Sequence, residues 1–343
     1  MANDPGTPLI EFLVSEEEIG QRIDVVLSRR LQQASRTKIS EFFREKSVKI
    51  NDSSVKASYR LRDDDYISCF GELTVSQSKH LVPKPLDLDI LYEDDDIIVI
   101  NKPVGLVVHP GAGTQETTLV EGLLHHCQSL PKADDQMRPG IVHRLDKDTS
   151  GVMVCAKTQE SLHHLANQFK SKRELNRTYV AILCGVLEKD AIDVRTYNFR
   201  DPSSRVKYKA IDENEYEQLE QMNRLTHGPY RHAISHFQVL ARYAHCLTKV
   251  QVTLDTGRTH QIRVHAAHLG KPVLGDVLYG KKRQWPSSLP PELADSLVNF
   301  PRQALHAQSL TITQPRTLEK LTFTVALPQD MQDIDQRLES FET

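Results

Sequence analysis

Residues 71–88 carry Pro83 and Pro85 and no regular hydrophobic period, and the stretches on either side differ in pattern and in charge. A chain of 343 residues already exceeds what one hydrophobic core usually organises. The break is therefore predicted to be a linker. It sets an N-terminal extension at 1–19, a small domain at 20–70 and a larger domain at 89–335.

The net charge of −3 hides an asymmetry. From residue 21 to residue 62 there are eleven bases, Arg22, Arg29, Arg30, Arg36, Lys38, Arg44, Lys46, Lys49, Lys56, Arg60 and Arg62, against Asp24, Glu41, Glu45 and Asp52. The segment is +7 and the rest of the chain −10, a split expected of a polyanion-binding module joined to a separate body. A helix pair with a solvated basic face is the plainer alternative. Ile23, Val26, Leu27 and Leu31, then Ile39, Phe42 and Phe43, recur at helical spacing. Ser35 or Thr37 is placed to cap the second helix, and Val48 with Ile50 and Tyr66 with Ile67 read as short strands around an Asn51-Asp52 turn.

Apolar runs such as 97–100 and 152–156 fall far short of the roughly 20 residues of a membrane-spanning helix. The first 20 residues hold five acids and no Lys or Arg, the wrong sign for a targeting segment, so a cytoplasmic protein with no membrane partner is expected. Cys69, Cys127, Cys155, Cys184 and Cys246 are scattered without a CxxC pair, which suggests neither a disulfide framework nor a zinc knuckle. His260, His265 and His268 lie close in sequence, but the first two are five apart, off the spacing that sets two ligands on one helix face. No metal is predicted.

Beyond the break, strands are predicted at 96–101, 151–157, 178–183, 233–242 and 245–254, and helices at 118–128, 159–171 and 259–269, the last stopped by Gly270 and Pro272. Tight turns alternate with helical connections. The expectation is an α+β fold with a mixed, largely antiparallel central sheet and flanking helices, beside a small N-terminal α/β domain. Into the strand at 151 runs Arg138-Pro-Gly-Ile-Val-His143-Arg144-Leu145-Asp146-Lys147-Asp148-Thr149-Ser150-Gly151. Its charges sit at the edge of the core, where sites are built, although Asp and Ser could equally serve the backbone of a turn.

That string resembles the signature loop of the RluA/RluD family of ribosomal large-subunit RNA pseudouridine synthases, and the resemblance implies that Asp146 is the catalytic residue. It continues in the stretch from Asn101-Lys102-Pro103 to Pro110-Gly111. In Arg177-Thr-Tyr179 the tyrosine follows Asp146 by 33 residues and would face the target base. In Asp255-Thr-Gly257-Arg258-Thr-His260-Gln261-Ile262-Arg263 the last arginine would pair with the catalytic carboxylate. Pro301-Arg302-Gln-Ala-Leu305-His306-Ala307 is similar to the family's closing strand, so the likeness runs from about residue 86 to 330. Residues 20–70 resemble the RNA-binding domain of a ribosomal small-subunit protein, with Ser47, Asp52 and Asp64 where glycines are usual; Asn and Asp tolerate left-handed backbone better than other non-glycine residues. The segment 212–227 looks longer than the family's usual connection.

The resemblance implies isomerisation of specific uridines to pseudouridine in RNA, above all ribosomal RNA, free or in an assembling large ribosomal subunit. The reaction breaks C1′–N1, turns the uracil and joins C5 to C1′ without redox change, so no cofactor is expected. An ionised carboxylate can attack C1′ or remove the C2′ proton to give a glycal, and Asp146 is the candidate for either. A carboxylate in a desolvated pocket needs a cation beside it, and the guanidinium of Arg263 suits a carboxylate bidentately. Tyr179 is expected to stack on the uracil with its hydroxyl near C5, and Arg144 to fill the gap left by the flipped base. RNA contacts are expected from Arg258, Arg29, Arg30, Arg36, Lys38, Arg44 and Lys49. Lys170, Lys172, Arg173 and Arg177, and Arg195, Arg200, Arg205, Lys207 and Lys209, either track phosphates or are merely solvated. A monomer is expected. A glycosidase would need a second carboxylate about 5 to 9.5 Å away, and only Asp148 stands near. The remaining alternative, a non-catalytic RNA-binding ribosome-assembly factor, fits poorly with intact Asp146, Tyr179 and Arg263.

Overall fold

The computed structural model describes residues 7–342 apart from 32–33, 35, 72–80, 112–113, 132–136, 172–173, 205, 227 and 281–284. It divides into two compact units, Met1–His80 and Leu81–Thr343. Among the described residues no helix is long and apolar enough to cross a membrane.

The first unit contains β1 (Ile10–Leu13), α1 (Ile23–Arg30), α2 (Arg36–Arg44), β2 (Val48–Ile50), β3 (Ser53–Ser54) and β4 (Tyr66–Cys69), with an antiparallel sheet ordered β1-β4-β2-β3. The apolar residues at helical spacing form its core: Ile23, Val26, Leu27, Ile39 and Phe42 pack with Val48, Ile50 and Ile67. The stretch expected as an extension is not separate, because Ile10–Leu13 pairs with β4 along its length. Thr37 lies inside α2 and cannot cap it, while Ser35 falls outside the described residues. Where glycines were missing the backbone is nonetheless left-handed, at Asn51, Asp52 and Asp64 with φ of 47°, 66° and 63°. Lys46, not Ser47, takes that conformation after α2, at φ 57°. The Asn51 side chain accepts the Tyr66 N–H at 2.9 Å, the local hydrogen bonding that lets Asn adopt such a turn.

The second unit comprises β5 (Ile90–Glu93), β6 (Ile97–Lys102), α3 (Leu119–Cys127), β7 (Ser150–Ala156), α4 (Gln159–Ser171), β8 (Asn176–Cys184), β9 (Ala191–Arg200), β10 (Tyr208–Asp212), α5 (Glu213–Gln221), β11 (Arg231–Tyr243), β12 (Leu247–Leu254), α6 (Gln261–His268), α7 (Pro291–Val298), β13 (Leu305–Thr313), β14 (Lys320–Thr324) and α8 (Gln329–Glu342). Its ten strands make one sheet in the order β10-β9-β11-β12-β8-β13-β7-β6-β5, with β14 beside β13. Only the β13–β7 pairing among these is parallel. The Ile-Ile-Val-Ile run of β6 is continuous because both faces are covered. Ile98 and Ile100 join the core shared with β8 and β12, while Ile97 and Val99 pack with Leu162 and Leu165 of α4. The second half of the expected linker belongs to this unit: Lys84 Nζ lies 2.8 Å from the Glu121 carboxylate, and Leu86 and Leu88 pack on the core. The acid-rich segment after 212 is mostly α5, on which Tyr216 stacks against Tyr197 of β9 at 3.7 Å.

Two features hold the pieces that will carry chemistry. Gly151, at φ 116°, begins the passage of β7 beside β13, and a Cβ there would stand 2.1 Å from the Ala307 carbonyl oxygen. Three imidazoles, His143 partly buried and His265 and His306 fully so, then tie neighbouring elements to the sheet. His143 Nε2 accepts the Val154 N–H at 3.1 Å, His306 Nδ1 bonds Ser150 Oγ at 2.9 Å, and His265 Nε2 bonds Thr196 Oγ1 at 3.0 Å. Burial pushes their pKa values down to about 3, 4 and 3 respectively.

These imidazoles are neutral in the fold, whereas an unfolded histidine titrates near pH 6.5. As pH falls below 6.5 the unfolded chain takes up protons that the folded chain does not, so stability declines by up to about 1.4 kcal/mol per imidazole per pH unit down to about pH 4. Urea unfolding at pH 7 and pH 5 should show the loss, and His265→Gln should shrink the difference by about a third. Gly151→Ala should destabilise by about 3 kcal/mol or more, because it combines a left-handed φ with backbone overlap. An unchanged urea midpoint for that variant would contradict the close packing of β7 on β13.

Candidate active site

A cleft of about 550 Å³ lies among the 138–149 loop, β8 and the start of α6, lined by Asp146, Tyr179, His260 and Arg263 among others. Arg263 stands in the first turn of α6, a helix buried from Gln261 to Ala266. Its placement follows from the helix start, where Gln261 Oε1 accepts from Thr256 Oγ1 (2.7 Å) and the Arg258 N–H (2.9 Å), and Gln261 Nε2 donates to the Ile234 carbonyl (2.9 Å). The side chain of the third residue of α6, Arg263, is thereby directed away from solvent. Arg263 Nη1 donates to Asp146 Oδ2 at 2.9 Å, and Nε and Nη2 donate to the two oxygens of Asp276 at 2.7 and 2.8 Å.

The bidentate pairing expected for Asp146 thus goes to Asp276. Asp276 has a fully buried side chain and also accepts the N–H groups of Leu278 and Tyr279 at 2.9 and 3.0 Å. Burial opposes charge on both groups, but their mutual hydrogen bonds and attraction win: the Arg263 pKa is raised and that of Asp276 lowered. Asp146 lines the cleft with Oδ2 engaged by Arg263, its side chain 17% exposed, while Oδ1 takes no hydrogen bond among the described residues. His260 Nε2 lies 3.8 Å from that second oxygen. The Tyr279 hydroxyl accepts the Tyr208 N–H at 3.0 Å and lies 2.9 Å from His260 Nδ1. Burial pushes the Tyr279 pKa up to about 12, so it stands beside His260 as a neutral phenol.

The loop that carries Asp146 is held along its whole length. Beyond the His143 bond, the Asp146 carbonyl accepts the Thr149 N–H (3.1 Å), and the Lys147 carbonyl accepts from the Gly105 N–H and Lys102 Nζ, both at 3.0 Å. The Asp148 carbonyl accepts from Arg302 Nη1 (3.2 Å), and Thr149 Oγ1 from Gln303 Nε2 (3.2 Å). Arg302 is itself fixed by a bidentate pair with Asp330 at 2.6 and 2.8 Å. Lys102 is wholly buried, and its Nζ also donates to the Pro103 and Leu106 carbonyls at 2.8 and 2.9 Å. Burial lowers its pKa to about 7, against the pull of Asp148 and Asp146; three carbonyl acceptors match the three protons of the ammonium form.

Tyr179 lines the same cleft from β8, and burial raises its phenol pKa, with Arg177 acting against and Asp146 with that shift. Arg144 is exposed at the rim with no hydrogen bond or ion pair among the described residues. Arg258, also at the rim, donates from Nε to the His232 carbonyl at 3.0 Å. In the first unit Arg30 is committed to Glu18 (2.9 Å) and lies over the Phe12 ring, Lys38 and Arg44 flank Glu41 at 3.7 and 3.8 Å, and Lys49 lies over Phe70. Arg29 is bonded to Gln21. The side chain of Arg36 and residues 172, 173 and 205 are outside the described set. Sequence reasoning missed Asp276, Tyr279 and Lys102. The available signal was a single acid, Asp276, following the apolar Val273-Leu274-Gly275 with no neighbouring base. Of the three histidines read as a group, His260 is in the cleft, His265 is buried against β9 and His268 pairs with Asp212 at 2.9 Å. Among the described residues the one His/Cys/acid group close enough to hold a metal, Glu93, His126 and Cys127, lies elsewhere.

Comparison with known proteins gives the same picture over most of the chain. Residues 96–268 match the family model of RNA pseudouridylate synthases. The chain is 37% identical over 331 residues to the RNA pseudouridine synthase YlyB of Bacillus subtilis, covering 96% of this chain and 98% of that one. It is 35% identical over 325 residues to ribosomal large subunit pseudouridine synthase D of Xanthomonas campestris, covering 94% and 91%. A solved structure of human RNA pseudouridylate synthase domain containing 4 superposes with a TM-score of 0.53 at 27% identity, over 73% of this chain and 92% of that one. The chain belongs to the RNA pseudouridylate synthase family and is an RNA pseudouridine synthase, an isomerase.

Proposed function

We propose that the substrate is large-subunit ribosomal RNA and that Asp146 acts at the sugar of a uridine flipped into the cleft. Relatives named as ribosomal large subunit pseudouridine synthase D match over 94% of the chain, which supports the choice of RNA. The observation that carries the mechanism is the Asp146 carboxylate in the cleft lining, bonded to Arg263 through Oδ2 and with Oδ1 free of hydrogen bonds among the described residues. That oxygen attacks C1′ or takes the C2′ proton. Either route releases N1 and the uracil turns; C5 then bonds C1′, displacing the carboxylate on the first route or returning the proton to C2′ on the second, and the C5 proton is finally lost as N1 gains one.

Tyr179 lies against the uracil as a neutral phenol, so any proton it removes from C5 must follow the loss of its own. Arg144, unpaired at the rim, fills the gap in the RNA stack with its planar guanidinium. Arg258 contacts the strand near the mouth. The basic first unit docks on RNA phosphates, with Arg44, 73% exposed at its side chain, more available than Arg30, which is paired with Glu18.

Asp146→Asn keeps the shape and loses the ionised oxygen. It should abolish release of tritium from 5-labelled uridine in ribosomal RNA while leaving RNA affinity within about threefold. Turnover by the variant near the wild-type rate would refute the role given to Asp146.

A further inference from the structure

Arg177 stands on β8 two residues before Tyr179, lines the same cleft and is 7% exposed. No carboxylate lies within ion-pair distance of it among the described residues, and only Tyr179 and Asp255 favour its charge, from further off. Nη2 donates to the Leu254 carbonyl at 3.2 Å, the guanidinium lies over the Phe169 ring at 5.7 Å, and Nε has no acceptor. Arg263 and Arg302, equally buried, each hold a carboxylate bidentately. Among the described residues Arg177 has no ion pair at all. Burial accordingly lowers its pKa.

An unpaired buried charge strongly disfavours the fold, so a position needed for packing alone would carry an apolar side chain. A glycine beside the guanidinium makes room for it. A Cβ on Gly257, a cleft residue, would stand 2.6 Å from Arg177 Nη1. Lys170 and Arg138, both exposed, line the same cleft.

We infer that this part of the cleft is a phosphate subsite, in which Arg177 receives a backbone phosphate of the RNA strand beside the nucleotide whose base faces Tyr179. A phosphodiester fits better than a uracil carbonyl because only an anion neutralises the guanidinium. Lys170 and Arg138 add long-range attraction at the rim. The inference rests on the proposed reading of the cleft as the site that receives a flipped uridine.

The test uses an RNA that the wild-type enzyme modifies, resynthesised with one uncharged methylphosphonate at each linkage within about three nucleotides of the target. For the wild type, one linkage should cost about tenfold or more in kcat/KM, the worth of a hydrogen bond to a charged group. Arg177→Met should lose a similar factor on unmodified RNA and become indifferent to that linkage while remaining sensitive to others. Without RNA its thermal midpoint should equal or exceed that of the wild type, since an unbalanced charge has been removed; a guanidinium with a structural role only would give a lower one. If the Met variant aggregates, Arg177→Lys should keep part of the sensitivity at the same linkage. Linkage sensitivities identical in wild type and variant would overturn the phosphate subsite. A wild-type enzyme that isomerises no uridine would instead overturn the reading of the cleft.

Discussion

One guanidinium shared by two carboxylates organises the catalytic unit. Arg263 gives two hydrogen bonds to Asp276 and one to Asp146, so the two acids have different fates. The buried one balances most of the cationic charge and is satisfied by backbone N–H groups as well. The other is held in place with an oxygen to spare. A buried arginine with a single carboxylate partner would bind that partner bidentately and leave neither of its oxygens free of the guanidinium.

Both acids are placed by the same short stretch of chain. Arg302, Gln303 and His306 bond to Asp148, Thr149 and Ser150 in the loop behind Asp146. Between them, the Ala304 N–H donates to the Leu274 carbonyl at 2.8 Å, which fixes the backbone two residues before Asp276. The only parallel pairing among the described strands of the large sheet, β13 on β7, occurs at this point, so the loop and β13 enter the sheet side by side. Packing at the strand ends therefore becomes geometry at the carboxylates.

How much of this the sequence disclosed follows from the range of the interactions. The strands at β6, β7, β8, β11 and β12 and the helices α3, α4 and α6 were legible because their apolar period is strong and local. β9 was not, since its buried positions include the polar Thr196 and Asn198, which blur the alternation, and β10 is only five residues long. β1 escaped notice because four residues pair with a strand more than fifty positions away. Asp146, Tyr179 and Arg263 stood out through family motifs. Asp276 did not, because its importance is a partnership with Arg263 formed only by the fold, and nothing in a lone Gly-Asp announces the cation it will meet. Arg177 was legible only as one of a basic cluster; that it is buried without an ion pair is a product of the fold.

The account depends most on Asp276 acting through Arg263 alone, out of reach of RNA. Single-turnover conversion at saturating RNA, measured with the RNA dissociation constant for Asp276→Asn, examines that dependence directly. The variant should bind RNA within about threefold of wild type and convert it slower by about a hundredfold, the scale of losing one electrostatic support in an active site. A folded Asp276→Asn enzyme that converts RNA at the wild-type rate would contradict the shared guanidinium as the basis of the site.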